Sequence, residues 1–355
     1  MSPSRRWYSL RVRARALRER HGRTFWIAHS LWALAQGCAV AVLAEERPDF
    51  AAWVLGLLAF VWLSTLFFCR SEFPAARPQS LRVGVASYAT RVFYQETLFF
   101  LLPFYARSTT LTSPNLAFTL ALAGLAALAC LDLTFDRWLR RSPAFAASYF
   151  FAVAYAALQL LLPLALRTPF TLAQPLALGL ALFAAALGVV IGAPRARGRS
   201  RAARLLGALP VAALAGALFL LPRLVPPAPL RAVEFTFEDT GETIRATVRV
   251  AAPVPVPVHV SVQWQRGAEL LRESRDVAIT AHGAGFRVWD ELSRAKLAGE
   301  GERARRRVRV ELLTATGQLI GWRRVPVRGA QSSPGASTRP RRTSAAASSA
   351  GTAGE

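Results

Sequence analysis

Seven apolar stretches of about membrane-spanning length, with arginines crowding every second connection between them, constrain this chain more than any motif does. Some twenty mostly apolar residues cross a hydrocarbon layer about 30 Å thick at a rise of about 1.5 Å per residue. By that measure the spans run 24–44, 50–69, 83–105, 115–135, 144–166, 170–193 and 205–222. The expected fold is a membrane all-α part, a seven-transmembrane-helix bundle, followed by a small all-β immunoglobulin-like sandwich domain.

Orientation follows from the arginines, because positive charge in short connections resists translocation. Alternate sides of the seven spans carry nineteen and three arginines. The amino terminus is expected in the cytoplasm and the carboxyl-terminal domain outside, in the periplasm or its equivalent. The expected address is a bacterial inner (plasma) membrane, crossed many times. Val42 and Ala44 resemble a signal-peptide cleavage site, but the preceding apolar run is too long for one, so an uncleaved first helix is expected. Cys38, Cys69 and Cys130 all fall within spans, which implies no disulfide framework.

A formal net charge of +23 invites a nucleic-acid reading. Sixteen of those charges, however, sit on the basic leader at 1–23 and on the apolar region, where topology and anionic lipid account for them. No basic surface interleaved with aromatics accompanies the charge, so the expected partner is the lipid bilayer, with anionic lipid at the leader, and not nucleic acid.

Beyond 222 the pattern changes. A proline-rich linker at 223–230, with Pro226, Pro227 and Pro229, reads as a stiff extended stalk. From 231 to 328 the apolar period becomes two: Ile244, Ala246, Val248 and Val250, then Val256, Val258, Val260 and Val262, then Val308, Val310 and Leu312 alternate with polar residues. Asp239-Thr240-Gly241, Arg266-Gly267 and Thr316-Gly317 supply turns, and about seven short strands are expected. Pro253, Pro255 and Pro257 suit an edge strand, since proline cannot donate to a ladder. The tail at 329–355 is poor in residues that could pack and is expected to be disordered.

The third span breaks its own rule. Arg91, Gln95 and Glu96 fall near its middle, each costly in hydrocarbon, and at 100° per residue Arg91 and Glu96 point apart. Their partners must come from other helices. Depth counting brings Gln36 and Gln159 to the level of Glu96, and His29 to that of Arg91. The cluster reads either as an intramembrane polar site or as interhelical glue, with glue the weightier reading.

Asp132 and Asp136, four residues apart at the cytoplasmic end of the fourth span, form an acidic pair that reads either as a metal or proton-shuttling site or, the weightier reading, as local ion pairing of Asp136 with Arg140. In the outer domain the run Arg303, Arg305, Arg306, Arg307 and Arg309 reads as a solvated strand face and its approach, His259 and His282 have no second ligand at metal spacing, and Trp264, Trp289 and Trp322 read as core or edge aromatics. No nucleotide loop, nucleophile set or metal-ligand spacing is present, so no catalytic residue, metal or cofactor is expected.

At Tyr94-Gln95-Glu96-Thr97-Leu98-Phe99-Phe100-Leu101-Leu102-Pro103-Phe104-Tyr105, and at Asp132-Leu133-Thr134-Phe135-Asp136, the chain resembles an uncharacterised bacterial family of multi-pass inner-membrane proteins. Val262-Gln263-Trp264, Gly285-Phe286-Arg287-Val288-Trp289 and Gly317-Gln318-Leu319-Ile320-Gly321 resemble a separate domain of unknown function that ends such proteins. Asp290 departs from the small residue expected after Trp289. The resemblance implies a bacterial envelope protein without an established activity. The expected function is a non-enzymatic accessory or sensor whose outer domain binds a protein or cell-wall component. The alternative is a transporter or membrane-embedded enzyme working through the third-span cluster.

Overall fold

A computed structural model describes residues 24, 27–43, 53–54, 56, 59–60, 81–131, 143–192, 201–274, 276–298 and 308–325. Helix α1 covers Ile27–Leu43. It is followed by α2 (Leu81–Arg107), α3 (Asn115–Cys130), α4 (Pro143–Leu166), α5 (Phe170–Gly192) and α6 (Arg201–Leu220), then a 3-10 turn, Pro222–Leu224. Eight strands come next: β1 (Arg231–Asp239), β2 (Thr243–Ala251), β3 (Val256–Arg266), β4 (Glu269–Glu273), β5 (Val277–Ala281), β6 (Phe286–Ser293), β7 (Val308–Thr314) and β8 (Leu319–Arg324). A one-turn helix α7, Ala295–Ala298, precedes β7. Met1–Val325 is one compact unit, and the second, Pro326–Glu355, lies outside the described residues together with the expected disordered tail.

The seven-transmembrane-helix bundle does not form. Among the described residues two helices are long and apolar enough to cross a bilayer, Ala144–Leu166 within α4 and Phe170–Leu187 within α5. Length defeats most of the others: α3 has 16 residues, and the apolar stretches of α1 and α6 are Ile27–Leu43 and Ala208–Leu220. At about 1.5 Å per residue these reach only about 20–25 Å. Composition defeats α2, whose 27 residues carry Arg91, Gln95 and Glu96. Most of the expected second span lies outside the described residues. The description of the chain as a multi-pass membrane protein is corrected with it.

Helix α4 is the hub. Tyr149, Phe151, Val153, Tyr155, Ala157 and Leu160 are all 2% exposed or less, so it is enclosed on every side. Arg167, at φ 53°, turns the chain at its end, where Thr168 N–H donates to the Leu162 carbonyl at 3.2 Å. A connection this short makes α5 the antiparallel neighbour of α4. Against α4 and its surroundings α5 turns Ala173, Ala177, Ala181 and Ala185, all buried at a four-residue spacing that lets the backbones approach closely. Its opposite face carries exposed Leu172, Leu176, Leu180 and Phe183.

The strands form two antiparallel sheets, β1-β2-β6 and β4-β3-β7-β8, with β5 also paired to β3. Their facing side chains share one core in which Val248, Val250, Val260, Val262, Trp264 and Val310 are fully buried. Gly241 and Gly317, at φ 89° and 81°, make the β1–β2 and β7–β8 turns in the left-handed region that glycine enters freely. Pro257 does not lie on an edge strand. Strand β3 is central, but its amino-terminal half pairs with β5 alone, since the β7 ladder starts at Val260, so the missing N–H interrupts nothing there.

The linker is the largest departure from expectation. It is no stalk: Val225, Ala228 and Leu230 are each 0% exposed, and Pro226, Pro227 and Pro229 are buried. Val225 and Ala228 pack in the helical core and Leu230 in the sheet core, so the two halves are joined by buried chain.

Candidate functional site: a polar seam and a buried junction

Two places gather polar side chains against apolar surroundings. The first is the seam between α1 and α2. Helix α1 presents Ala33, Gly37 and Val40 to α2, and a Cβ at residue 37 would collide with the Phe99 ring, so glycine sets the closeness of the pair. Along this seam Arg91, 5% exposed, has its Nη2 3.5 Å from Nε2 of His29. Gln95 donates through Nε2 to the Ala33 carbonyl. Glu96 Oε1 accepts from Nε2 of Gln36 at 3.4 Å in an exposed position. Arg91, Gln95 and Glu96 of α2 therefore each meet a residue of α1.

Gln159 does not join them. It is 0% exposed and sits at the second place, the junction, where its Nε2 donates to the Pro226 carbonyl at 3.3 Å and its Oε1 accepts from the Tyr105 hydroxyl at 3.4 Å. Around it the helical body and the sheets are tied by groups that sequence reasoning passed over. Gln318 Nε2 donates to the Val225 carbonyl at 3.2 Å. Asn115 Nδ2 donates to the Leu319 carbonyl at 3.4 Å while its Oδ1 accepts from Thr110 N–H. Phe170, the first residue of α5, is 0% exposed and belongs to the sheet core. A buried carboxylate, Glu311, binds Gln265 Nε2 at 3.0 Å, pairs with Arg309 at 2.9 Å and faces Arg223 of the 3-10 turn at 3.9 Å. The only sequence signal for this junction was a glutamine or asparagine within an otherwise apolar helix.

Asp132 and Asp136 lie outside the described residues, as do Arg303, Arg305, Arg306 and Arg307. In the sheets Trp264 is a core residue whose Nε1 donates to Asp290 Oδ2 at 2.8 Å, and Arg272 holds the other carboxylate oxygen at 3.0 Å. The unexpected Asp290 is thus an inward-facing partner of a buried indole. Trp289 is 60% exposed, with the Arg245 guanidinium 5.0 Å over its ring. His259 lines an open cleft of about 490 Å³ between the start of α5 and strands β3 and β5, with Thr171 and Thr280. Among the described residues no group of three or more His, Cys, Asp or Glu is placed to hold a metal ion.

These features define a class first: a helical body joined through a buried, hydrogen-bonded linker to a two-sheet β half. The chain belongs to the family described as "Family of unknown function (DUF5924)", which matches residues 7–247, that is, the helical body, the linker and most of the first two strands. No curated protein matches it. A solved structure of Pseudomonas fluorescens alkylpurine DNA glycosylase AlkC, bound to DNA containing an abasic site analog, aligns at 13% identity over 80% of each chain. Its TM-score of 0.19 is far below that of two proteins sharing a fold.

Proposed function

We propose that this chain is a non-enzymatic accessory protein of a bacterial envelope, held in the cytoplasmic membrane through the α4–α5 hairpin, whose β half binds a protein or envelope component. The observation that carries it is the buried junction. A binding module on a flexible stalk reports nothing to its anchor, whereas one fused through buried linker residues moves with it as one body. The exposed face of α5 supports the membrane address: Leu172, Leu176, Leu180 and Phe183 would each be costly to hold in water. Arginine placement supports a hairpin whose turn lies outside. Arg137, Arg140 and Arg141 precede α4 and five arginines follow α5 between 195 and 204, while Arg167 alone stands at the hairpin turn.

The test is crosslinking in native membranes with mass-spectrometric identification of the partner, on the full chain and on a chain ending at residue 222. A partner captured by the full chain and lost on removal of the β half is the expected result. A chain extracted from membranes by alkaline carbonate, or a partner set unchanged by the truncation, refutes the proposal.

A further inference from the structure

We infer that the cleft between the start of α5 and strands β3 and β5 is a binding site for the headgroup and glycerol region of a bilayer phospholipid, with its acyl chains laid along α5. The inference rests on the membrane reading above and adds a specific ligand site to it. Its first support is the shape and chemistry of the cleft. At about 490 Å³ it falls within the range of small-ligand sites, about 300–1,000 Å³. Its walls are apolar at Pro169, Pro257, Ile279 and Phe286, and three side chains that can hydrogen-bond a phosphate or an ester oxygen, Thr171, His259 and Thr280, share it.

The second support is continuity. Thr171 lines the cleft, and the exposed apolar face of α5 starts at the next residue, Leu172, and continues through Leu176 and Leu180 to Phe183. These positions follow the three- and four-residue spacing of one helix face and carry no polar side chain. Eleven residue steps from Leu172 to Phe183 rise about 16 Å, close to the roughly 15 Å of one leaflet's hydrocarbon. A lipid standing against this face therefore brings its ester and phosphate groups to the level of Thr171, beside the sheet. Arg167, exposed and four residues before Thr171, adds a cation near that level. Phe286, which lines the cleft, is 39% exposed, as expected of a wall that apolar matter covers.

The experiment uses the full chain reconstituted in vesicles of phosphatidylethanolamine and phosphatidylglycerol, with a phospholipid photoactivatable in its headgroup. The expected label falls on peptides spanning 169–172, 257–259 and 277–281. Ala278→Trp, at an exposed position of β5, fills the cleft and lowers that label about tenfold while the label on the rest of the chain stays. The double variant Thr171→Val with Thr280→Val leaves the shape and lowers it about fivefold through lost hydrogen bonds. Near-ultraviolet circular dichroism of the buried Trp264 reports that each variant keeps its sheet core. Label that is absent from these peptides, or equal in both variants and the parent, overturns the inference. A chain that carbonate extracts from the vesicles refutes the membrane reading, whereas an embedded chain with an unlabelled cleft refutes this site alone. Competition by inorganic phosphate at equal potency assigns the cleft to a free anion and overturns the lipid.

Discussion

Gln318→Leu tests how the β half is held to the helices, because the two linker carbonyls at the junction are satisfied differently. The Val225 carbonyl receives the Gln318 amide at 3.2 Å, whereas the Pro226 carbonyl accepts both from Gln159 Nε2 at 3.3 Å and from the Ala228 N–H at 2.9 Å. Both donors come from side chains with 0% exposure, so water cannot replace them. Leucine conserves volume at either site. At Gln318 it takes away the amide that the buried Val225 carbonyl accepts, a loss of about 1–3 kcal/mol, while at Gln159 the Pro226 carbonyl keeps one bond and the loss is about 0.5–1.5 kcal/mol. Hydrogen exchange reads this directly. The amides of Val225, Ala228 and Leu230 donate to the carbonyls of Pro222, Pro226 and Pro227, and undocking of the linker exposes them to exchange. If undocking is the exchange route, Gln318→Leu accelerates them about 5- to 150-fold and Gln159→Leu about 2- to 12-fold, with the core strands β3 and β7 unchanged. Equal rates in both variants and the parent would refute the argument that these bonds hold the junction. So would an effect of Gln159→Leu exceeding that of Gln318→Leu.

Two further substitutions probe the same architecture. Phe170→Ala empties a fully buried site where α5 enters the sheet core, and a loss of about 3–5 kcal/mol is expected, read as a lowered thermal midpoint in detergent. Asp290→Ala strands the Trp264 indole N–H and releases Arg272, for a loss of about 1–3 kcal/mol and a changed near-ultraviolet signal, while Asp290→Asn, which keeps an acceptor for the indole, retains most of the stability.

Much of the local structure was legible in the chain. Strand alternation placed Val248, Val260, Val262 and Val310 on inward faces because side chains of a strand point alternately to its two sides, whatever the partner strand. Turn positions were equally local: Gly241 and Gly317 stand where the backbone must enter a region closed to most residues. Hydropathy, by contrast, overstated the number of membrane-length helices, since an apolar residue reads the same whether it meets lipid or another helix. The residues of α4 are buried by neighbouring helices, while those on the outer face of α5 are not, and composition alone does not separate the two cases.

The sequence by itself determined where helices and strands form and which of their faces are apolar, because propensity, periodicity and turn chemistry act over a few residues. Only the tertiary structure decided that residues 225–230 are buried rather than extended in solvent. It also decided that Gln159 serves the Pro226 carbonyl rather than Glu96, and that Phe170 of a helix belongs to the core of the sheets. Those outcomes depend on contacts between segments far apart in the chain, where a polar group buried by packing takes whichever donor or acceptor the fold brings within about 3 Å.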